Sequence, residues 1–328
     1  MPENRFDRVI VIGDACVDVT VSLQSVMTCG DDEYGSERLK PVLTGGGTSA
    51  NTAVALSKLG IPTAFMGTVG DDYGGRFMMK EFAQNGINTD FTIMDKSNTI
   101  FVFAFIDPTG ERTLWGFPRE DCSYASLDLE KIDLEKVRTA SWVHSSGMAY
   151  MAEGSIRRNL PLIFKAAYEA GVPTSFDLNT RVGDPDKLEP EIRRAVEETL
   201  PYVKYLLGSA KDEFYSFCPR EDWRDSVRHF AAGGRRVIAR MGGEGAFLVS
   251  DGREELQKPY EVAVKNTTGA GDAFNAGFIA GMLQGLSLSE AVLQGSAVAG
   301  YKVAGNSSRH TPNPEQLKEF MAKTPRKQ

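Results

Sequence analysis

The chain has 328 residues, 41% of them apolar, and carries a net charge of −7. That is ample material for a packed core, and the acidic balance argues against nucleic acid or an anionic membrane surface as the main partner. No apolar run approaches the ~20 residues that cross a bilayer.

From the N-terminus, MPENRFDRVIVIG lacks the long apolar core and cleavage site of a signal peptide, and RVIVIG predicts a buried strand. CVDVTVSL alternates, with Val17, Val19 and Val21 on one face, and a polar stretch follows to Leu43. SANTAVALSKLG places Ala53, Leu56 and Leu59 on one side of a helix that stops at Gly60. AFMGTVG is strand-like, and GRFMMKEFAQNG is an amphipathic helix ended by Gly86. NTIFVFAFIDPTGERTLWGF predicts two strands joined by a DPTG turn. Beyond it come the strand SWVHSSG, the helix SIRRNLPLIFKAAYEAG, the strand VPTSFDLN and a helix near Lys187–Leu200. The strand patterns VKYLLG, RRVIARMG and YEVAV and the helix AFNAGFIAGMLQG complete the run.

This alternation predicts a mostly parallel sheet with helices on both faces. No repeat or low-complexity linker divides it, so residues 1–328 read as one domain. The segments at about 14–44 and 97–118 break the rhythm and predict a small antiparallel sheet inserted in it. Its aromatic residues, Phe101, Phe103, Phe105 and Trp115, need a cover from a ligand, a partner subunit or the domain itself. Four scattered cysteines (Cys16, Cys29, Cys122, Cys218) without a CxxC pair, and three histidines, predict reduced cytoplasmic thiols and no zinc or histidine-rich metal centre.

Chemistry concentrates in KNTTGAGDAFNAGF, Lys265–Phe278. Gly269, Ala270 and Gly271 precede a helix whose first-turn amides and dipole suit a phosphate. Asp272, a carboxylate in the same place, is either a helix cap or a group that works on a second ligand. The small residues Ala276, Gly277, Ala280 and Gly281 predict close packing of that helix on a neighbour. A second glycine cluster, TGGGTSANTAVALSKLG, lies about 220 residues earlier and presents Asn51 in the first turn of its helix.

These two stretches, in this order, resemble the two signature regions of the ribokinase (PfkB) family of carbohydrate kinases. The resemblance runs from IGDACVD to VAGNSSRHTP, nearly the whole chain. It implies a ribokinase-like three-layer α/β/α domain with a small β-sheet lid, and ATP-dependent phosphorylation of a sugar hydroxyl. It assigns Asp272 as general base and the amides of Gly269, Ala270 and Gly271 as the anion hole. No GxxxxGK[ST] is present, so the phosphates are not held by a P-loop.

The resemblance also implies a sugar end made of Asp14, Asp18, Gly45, Gly46 and Asn51, with Phe103 and Phe105 as a wall. Arg112, after the lid turn, would hold a substrate carboxylate or the phosphate, or stand exposed on its hairpin. The nucleotide end would take in Ser209, Arg240, Gly242, Gly245 and Thr268, with Arg240 standing where the family has threonine or lysine. The family's NxxE motif, which arranges Mg²⁺ through water, aligns with Ser209–Asp212 and makes Asp212 its carboxylate. Asn266 replaces the aspartate that, with residues near Gly305 and Ser308, forms a monovalent-cation site in potassium-activated members, and the lost charge weakens that site. FDLNTR (Phe176–Arg181) and HSSGM (His144–Met148) resemble stretches of fructokinases and 2-keto-3-deoxygluconate kinases, which implies a ketose or keto-sugar acid. A nucleoside kinase and a non-catalytic sugar sensor are the alternatives. A homodimer through the lid is expected. A hydride-transfer enzyme fits poorly, since RVIVIGD lacks the GxGxxG turn.

Overall fold

The computed structural model describes residues 6–23, 40–106, 112–118, 120–180 and 188–327. The DPTG turn, most of the polar stretch before Leu43, Cys29 and Arg181 lie outside them, as does the side chain of Arg112.

In chain order, β1 (Val9–Ile12), β2 (Cys16–Ser22) and β3 (Val42–Gly46) lead into α1 (Thr48–Lys58). Next come β4 (Thr63–Gly70), α2 (Tyr73–Gln84), β5 (Asn88–Asp95), β6 (Ile100–Ile106) and β7 (Arg112–Phe117). The middle of the chain holds α3 (Leu134–Arg138), β8 (Trp142–Ser146), α4 (Ile156–Glu169), β9 (Thr174–Asp177), α5 (Pro190–Thr199) and β10 (Tyr205–Ser209). A π-helical stretch, Ala210–Tyr215, precedes α6 (Trp223–Ala231), β11 (Arg236–Arg240), β12 (Ala246–Ser250) and β13 (Arg253–Gln257). The helices α7 (Ala270–Leu283), α8 (Leu288–Val303) and α9 (Pro314–Lys323) follow.

Nine strands form one sheet in the order β13-β12-β11-β10-β9-β8-β1-β4-β5, in which β12 runs against the others and so pairs antiparallel with both β11 and β13. All four residues of β1 are buried, as a strand covered on both faces requires. Ile10 and Ile12 join the apolar layer of α4, α5 and α6, with Leu160, Phe164, Val196 and Phe230. Val9 and Val11 join the layer of α1, α2, α7 and α8, with Leu56, Phe82, Phe278 and Val298. The result is a three-layer α/β/α body. In it α7 and α8 approach closely, since a Cβ at Gly277 would meet Val298 and the backbone of Gly295, and one at Gly281 would meet Ala291.

The second sheet has the order β3-β2-β6-β7. It is mixed rather than antiparallel, because β2 and β6 run parallel from Cys16↔Ile100 to Ser22↔Ile106. The long connection through α1 and α2 returns the chain in the same direction, while β2–β3 and β6–β7 are antiparallel. Register puts Cys16, Asp18, Gly46, Ile100 and Val102 on one face, and Val17, Val19, Gly45, Phe103, Trp115 and Phe117 on the other. The stretch YEVAV is not a strand. Tyr260 makes an isolated bridge to Arg326, Glu261 N–H bonds Pro325 O, and the chain then turns onto the end of α8.

Candidate active site

Both glycine stretches converge beyond the C-terminal end of β1. Gly47 caps α1 with a φ of 94°, which the chain needs because the carbonyl oxygen of Asp14 lies 2.7 Å from where a Cβ would stand. Asp14 accepts from the Thr48 and Ser49 amides at 2.7 and 3.0 Å, so its carboxylate caps α1 from a neighbouring strand end. That is a structural task beside the sugar contact expected of it. Asn51, in the first turn of α1, donates from Nδ2 to Asp272 Oδ2 at 2.8 Å, and its buried Oδ1 has no hydrogen-bond partner.

Asp272 is 6% exposed and third in α7, whose N-cap is Gly269 in the left-handed region (φ 79°). Its carboxylate is therefore not the helix cap. Ala270 N–H bonds Thr267 O at 3.1 Å and closes the turn, which removes it from the expected anion hole as the loop stands. The first-turn amide of Gly271 has no carbonyl four residues back within the helix. A Cβ at Gly271 would stand 3.4 Å from Arg240 Cζ.

The lid face bearing Asp18 borders a cleft of about 1230 Å³, lined by Ile100, Val102, Leu114, Tyr124, Met148 and Met151. Burial raises the Asp18 carboxyl above its ordinary range while the Arg309 guanidinium pulls it back. A Cβ at Gly46 would overlap the Asp18 carboxylate, and one at Gly45 would strike the Glu81–Arg309 pair (2.9 Å). Gly45 thus makes room for an ion pair on the far face rather than for a sugar. Phe103 and Phe105 are also on the far face, in register with Val19 and Val21 and packed on the layer of α1 and α2, so they do not wall the acceptor. Arg112 opens β7.

Asp272 itself lines a second cleft of about 470 Å³, which takes in Ser209, Asp212, Glu213, Gly242, Gly245 and Gly271. Arg240 borders it, but its guanidinium is held from below. It donates to both Asp177 oxygens (2.7 and 2.9 Å) and to Asn275 Oδ1 (2.7 Å), with Glu213 at 3.6 Å. Burial opposes the charge on Arg240, yet Asp177 and Glu213 outweigh it and raise its pKa. Burial also pushes the Asp177 carboxyl up, and the Arg240 charge and hydrogen bonds reverse this and leave it lowered. Arg240 therefore lines the nucleotide cleft, as expected, and at the same time ties a buried network beneath it.

The sequence reading missed Glu213. Burial, with the Asp177 charge beside it, pushes its carboxyl up to about 7 against the pull of Arg240, and it accepts from Ser209 N–H at 2.7 Å. Asp212, expected as the magnesium carboxylate, is bonded to the Ser209 hydroxyl at 2.8 Å instead. The wide π turn accounts for the difference, carrying the fourth residue after Ser209 inward where NxxE counts three. His144 bonds Ser175 Oγ at 2.8 Å, and burial pushes it down to about 4, Arg240 adding to this, so it is neutral near pH 7.

The region expected to bind a monovalent cation is filled by proton donors. Asn266 Oδ1 accepts from Thr268 N–H at 2.8 Å, its Nδ2 donates to Asn306 O at 2.6 Å, and its carbonyl oxygen accepts from Lys302 Nζ at 2.7 Å. Thr268 is exposed, and its amide donates within this loop to Asn266 Oδ1. Val303 O accepts from the Lys265 and Asn266 amides, the His310 ring fills the space beside Gly305, and Ser308 packs on Gly269.

Among the described residues no helix is long and apolar enough to cross a membrane, and no cluster of three or more acidic, histidine or cysteine side chains could hold a metal by itself. The profile described as pfkB family carbohydrate kinase matches residues 7–316. A protein of Archaeoglobus fulgidus described as an uncharacterized sugar kinase is 29% identical over 252 residues, 75% of this chain and 93% of that one. The 5-dehydro-2-deoxygluconokinase of Geobacillus thermodenitrificans is 27% identical over 292 residues, 84% and 83%. An E. coli protein described as a ribokinase II, solved with ATP and Mg²⁺, superposes with a TM-score of 0.82 at 20% identity, over 96% of this chain and 99% of that one. The last likeness is one of fold.

Proposed function

The chain belongs to the pfkB family of carbohydrate kinases, and on that premise we propose that it transfers the γ-phosphoryl group of ATP to a hydroxyl of a keto-sugar acid. One contact carries the reading: the 2.8 Å bond from Asn51 to Asp272, which ties the two glycine stretches together beside the cleft that Asp272 lines.

Asn51 orients the Asp272 carboxylate so that it takes the proton of the acceptor hydroxyl as that oxygen attacks phosphorus. The amide of Gly271 and the positive end of α7 stabilise the charge on the moving phosphoryl group, with the Arg240 guanidinium fixed beneath Gly271. The donor set suits a Mg²⁺ that enters with the phosphates of ATP and keeps most of its waters, with Asp212 and Glu213 as the cleft's nearby carboxylates. Bound there, Mg²⁺ would neutralise phosphate charge.

The choice of acceptor rests on the relatives named 5-dehydro-2-deoxygluconokinase and on FDLNTR. In this reading Asp18 takes sugar hydroxyls, and Arg112, at the start of β7, takes the carboxylate. The exposed lid residues Leu43, Trp115 and Phe117 then form a homodimer contact. The test is ADP release with Mg-ATP across keto-sugar acids, ketoses, aldohexoses, pentoses and nucleosides, with Asp272→Asn as the blank. The highest kcat/KM is expected for a keto-sugar acid, and Arg112→Ala should lower that value more than the value for a neutral ketose. Preference for a nucleoside or an aldopentose would overturn the proposed acceptor.

A further inference from the structure

Lys302 is the penultimate residue of α8, and its side chain is fully buried. The transfer chemistry has no direct use for it. Burying an ammonium is costly unless dipoles or charges compensate it. Here the C-terminal end of α8 supplies partial negative charge, and Asn266 O receives the ammonium at 2.7 Å. Asn266 opens the loop that becomes the anion hole. Its side chain clasps both Thr268 N and Asn306 O, and Gly269 two residues later sets the left-handed entry to α7.

A dissolved monovalent ion needs several oxygens turned toward one point. The oxygens of Asn266 and Val303 instead receive amides and an ammonium, and the His310 ring lies against Gly305. This donor set does not fit a dissolved ion.

We propose that the Lys302 ammonium is a built-in cation that orders the 266–269 loop, so that neither turnover nor stability calls on potassium. Lys302 is thus a positioning residue, acting on the anion hole through the Asn266 carbonyl. The proposal rests on the kinase reading, and one arm of its test does not.

Turnover and Tm are measured against KCl, with tetramethylammonium chloride holding ionic strength constant, for the parent protein, Lys302→Met and the double variant Asn266→Asp/Lys302→Met. The parent is expected to be flat in both readouts. Lys302→Met should lose about tenfold or more in kcat, with the sugar KM changing less than about twofold. The double variant should regain turnover as K⁺ is added. Its Tm should rise by about 2 °C when K⁺ reaches ten times its Kd. Potassium activation or stabilisation of the parent, or an undiminished kcat in Lys302→Met, overturns the proposal. Should Lys302→Met not fold, Lys302→Gln keeps a donor without the charge, and full activity there overturns it equally. If no acceptor is phosphorylated at all, the proposed function fails, and the Tm comparison still decides the role of Lys302.

Discussion

Asp272 and Glu213 lie on the same cleft with opposite tasks. Asp272→Asn keeps the size and one oxygen for Asn51 but accepts no proton. It should lose on the order of 10²–10⁴ in kcat, with sugar KM little changed. Steady-state ADP release decides this, and turnover near the parent rate would reduce Asp272 to a packing residue. Glu213 speaks to pH. With a folded pKa near 7 against an ordinary 4.5, it holds its proton in the native state after the unfolded chain has released one. Its contribution to stability is therefore complete below about pH 4.5 and is lost as pH rises through 7. Urea midpoints measured from pH 5 to 8 should fall less steeply for Glu213→Gln than for the parent, and identical slopes would show that Glu213 does not titrate there.

Strand register decides what the second sheet offers to a ligand. Gly46 faces the Asp18 carboxylate across β2–β3 with no space for a side chain. Gly46→Ala should displace that carboxylate and lower acceptor kcat/KM about tenfold or more, roughly 1.4 kcal/mol, while the ATP KM holds. An equal effect on both substrates would mean that the sheet as a whole had shifted. Alternation in CVDVTVSL already separated Val17 and Val19 from Asp18 in the sequence. The same period, carried across to Phe101, Phe103 and Phe105, puts these three on the face that packs against α1 and α2, but that step needs the parallel β2–β6 pairing. No local pattern encodes a pairing between strands so far apart. The π turn after Ser209 was equally hidden, since one extra residue per turn brings Glu213 into the cleft beside Asp212 and against Arg240 without changing composition.

For the whole molecule, the α/β alternation was readable because β1, β4, β8 and β9 are continuous buried runs between amphipathic helices. The site was readable where chemistry needs fixed residue types in one stretch, as in Gly269–Asp272. The network role of Arg240 was hidden because its buried partners Asp177 and Asn275 come from β9 and α7, 63 and 35 residues away. YEVAV shows the converse error, β-prone residues that make one isolated bridge, Tyr260 to Arg326, and no ladder. At this scale the exposed apolar residues of the lid matter most, with Trp115 57% exposed. Sedimentation equilibrium should show a dimer, and Trp115→Glu should shift it toward monomer. A parent protein monomeric at tens of micromolar would remove the lid from any role in assembly.

The sheet order also fixes how the chain is made. Strand β1 lies between β4 and β8, and its second edge is closed by residues 142–145, with Val9 paired to Trp142. At about 5–20 residues per second, a ribosome takes roughly 7–27 s to deliver that partner after β1 is synthesised. For that interval four consecutive aliphatic residues present an open strand edge, the kind of surface that recruits other nascent chains. Refolding from denaturant faces the same long search. The yield of native protein should therefore depend on chain concentration and on chaperones that shield the N-terminal third, more than on the stability of the finished fold.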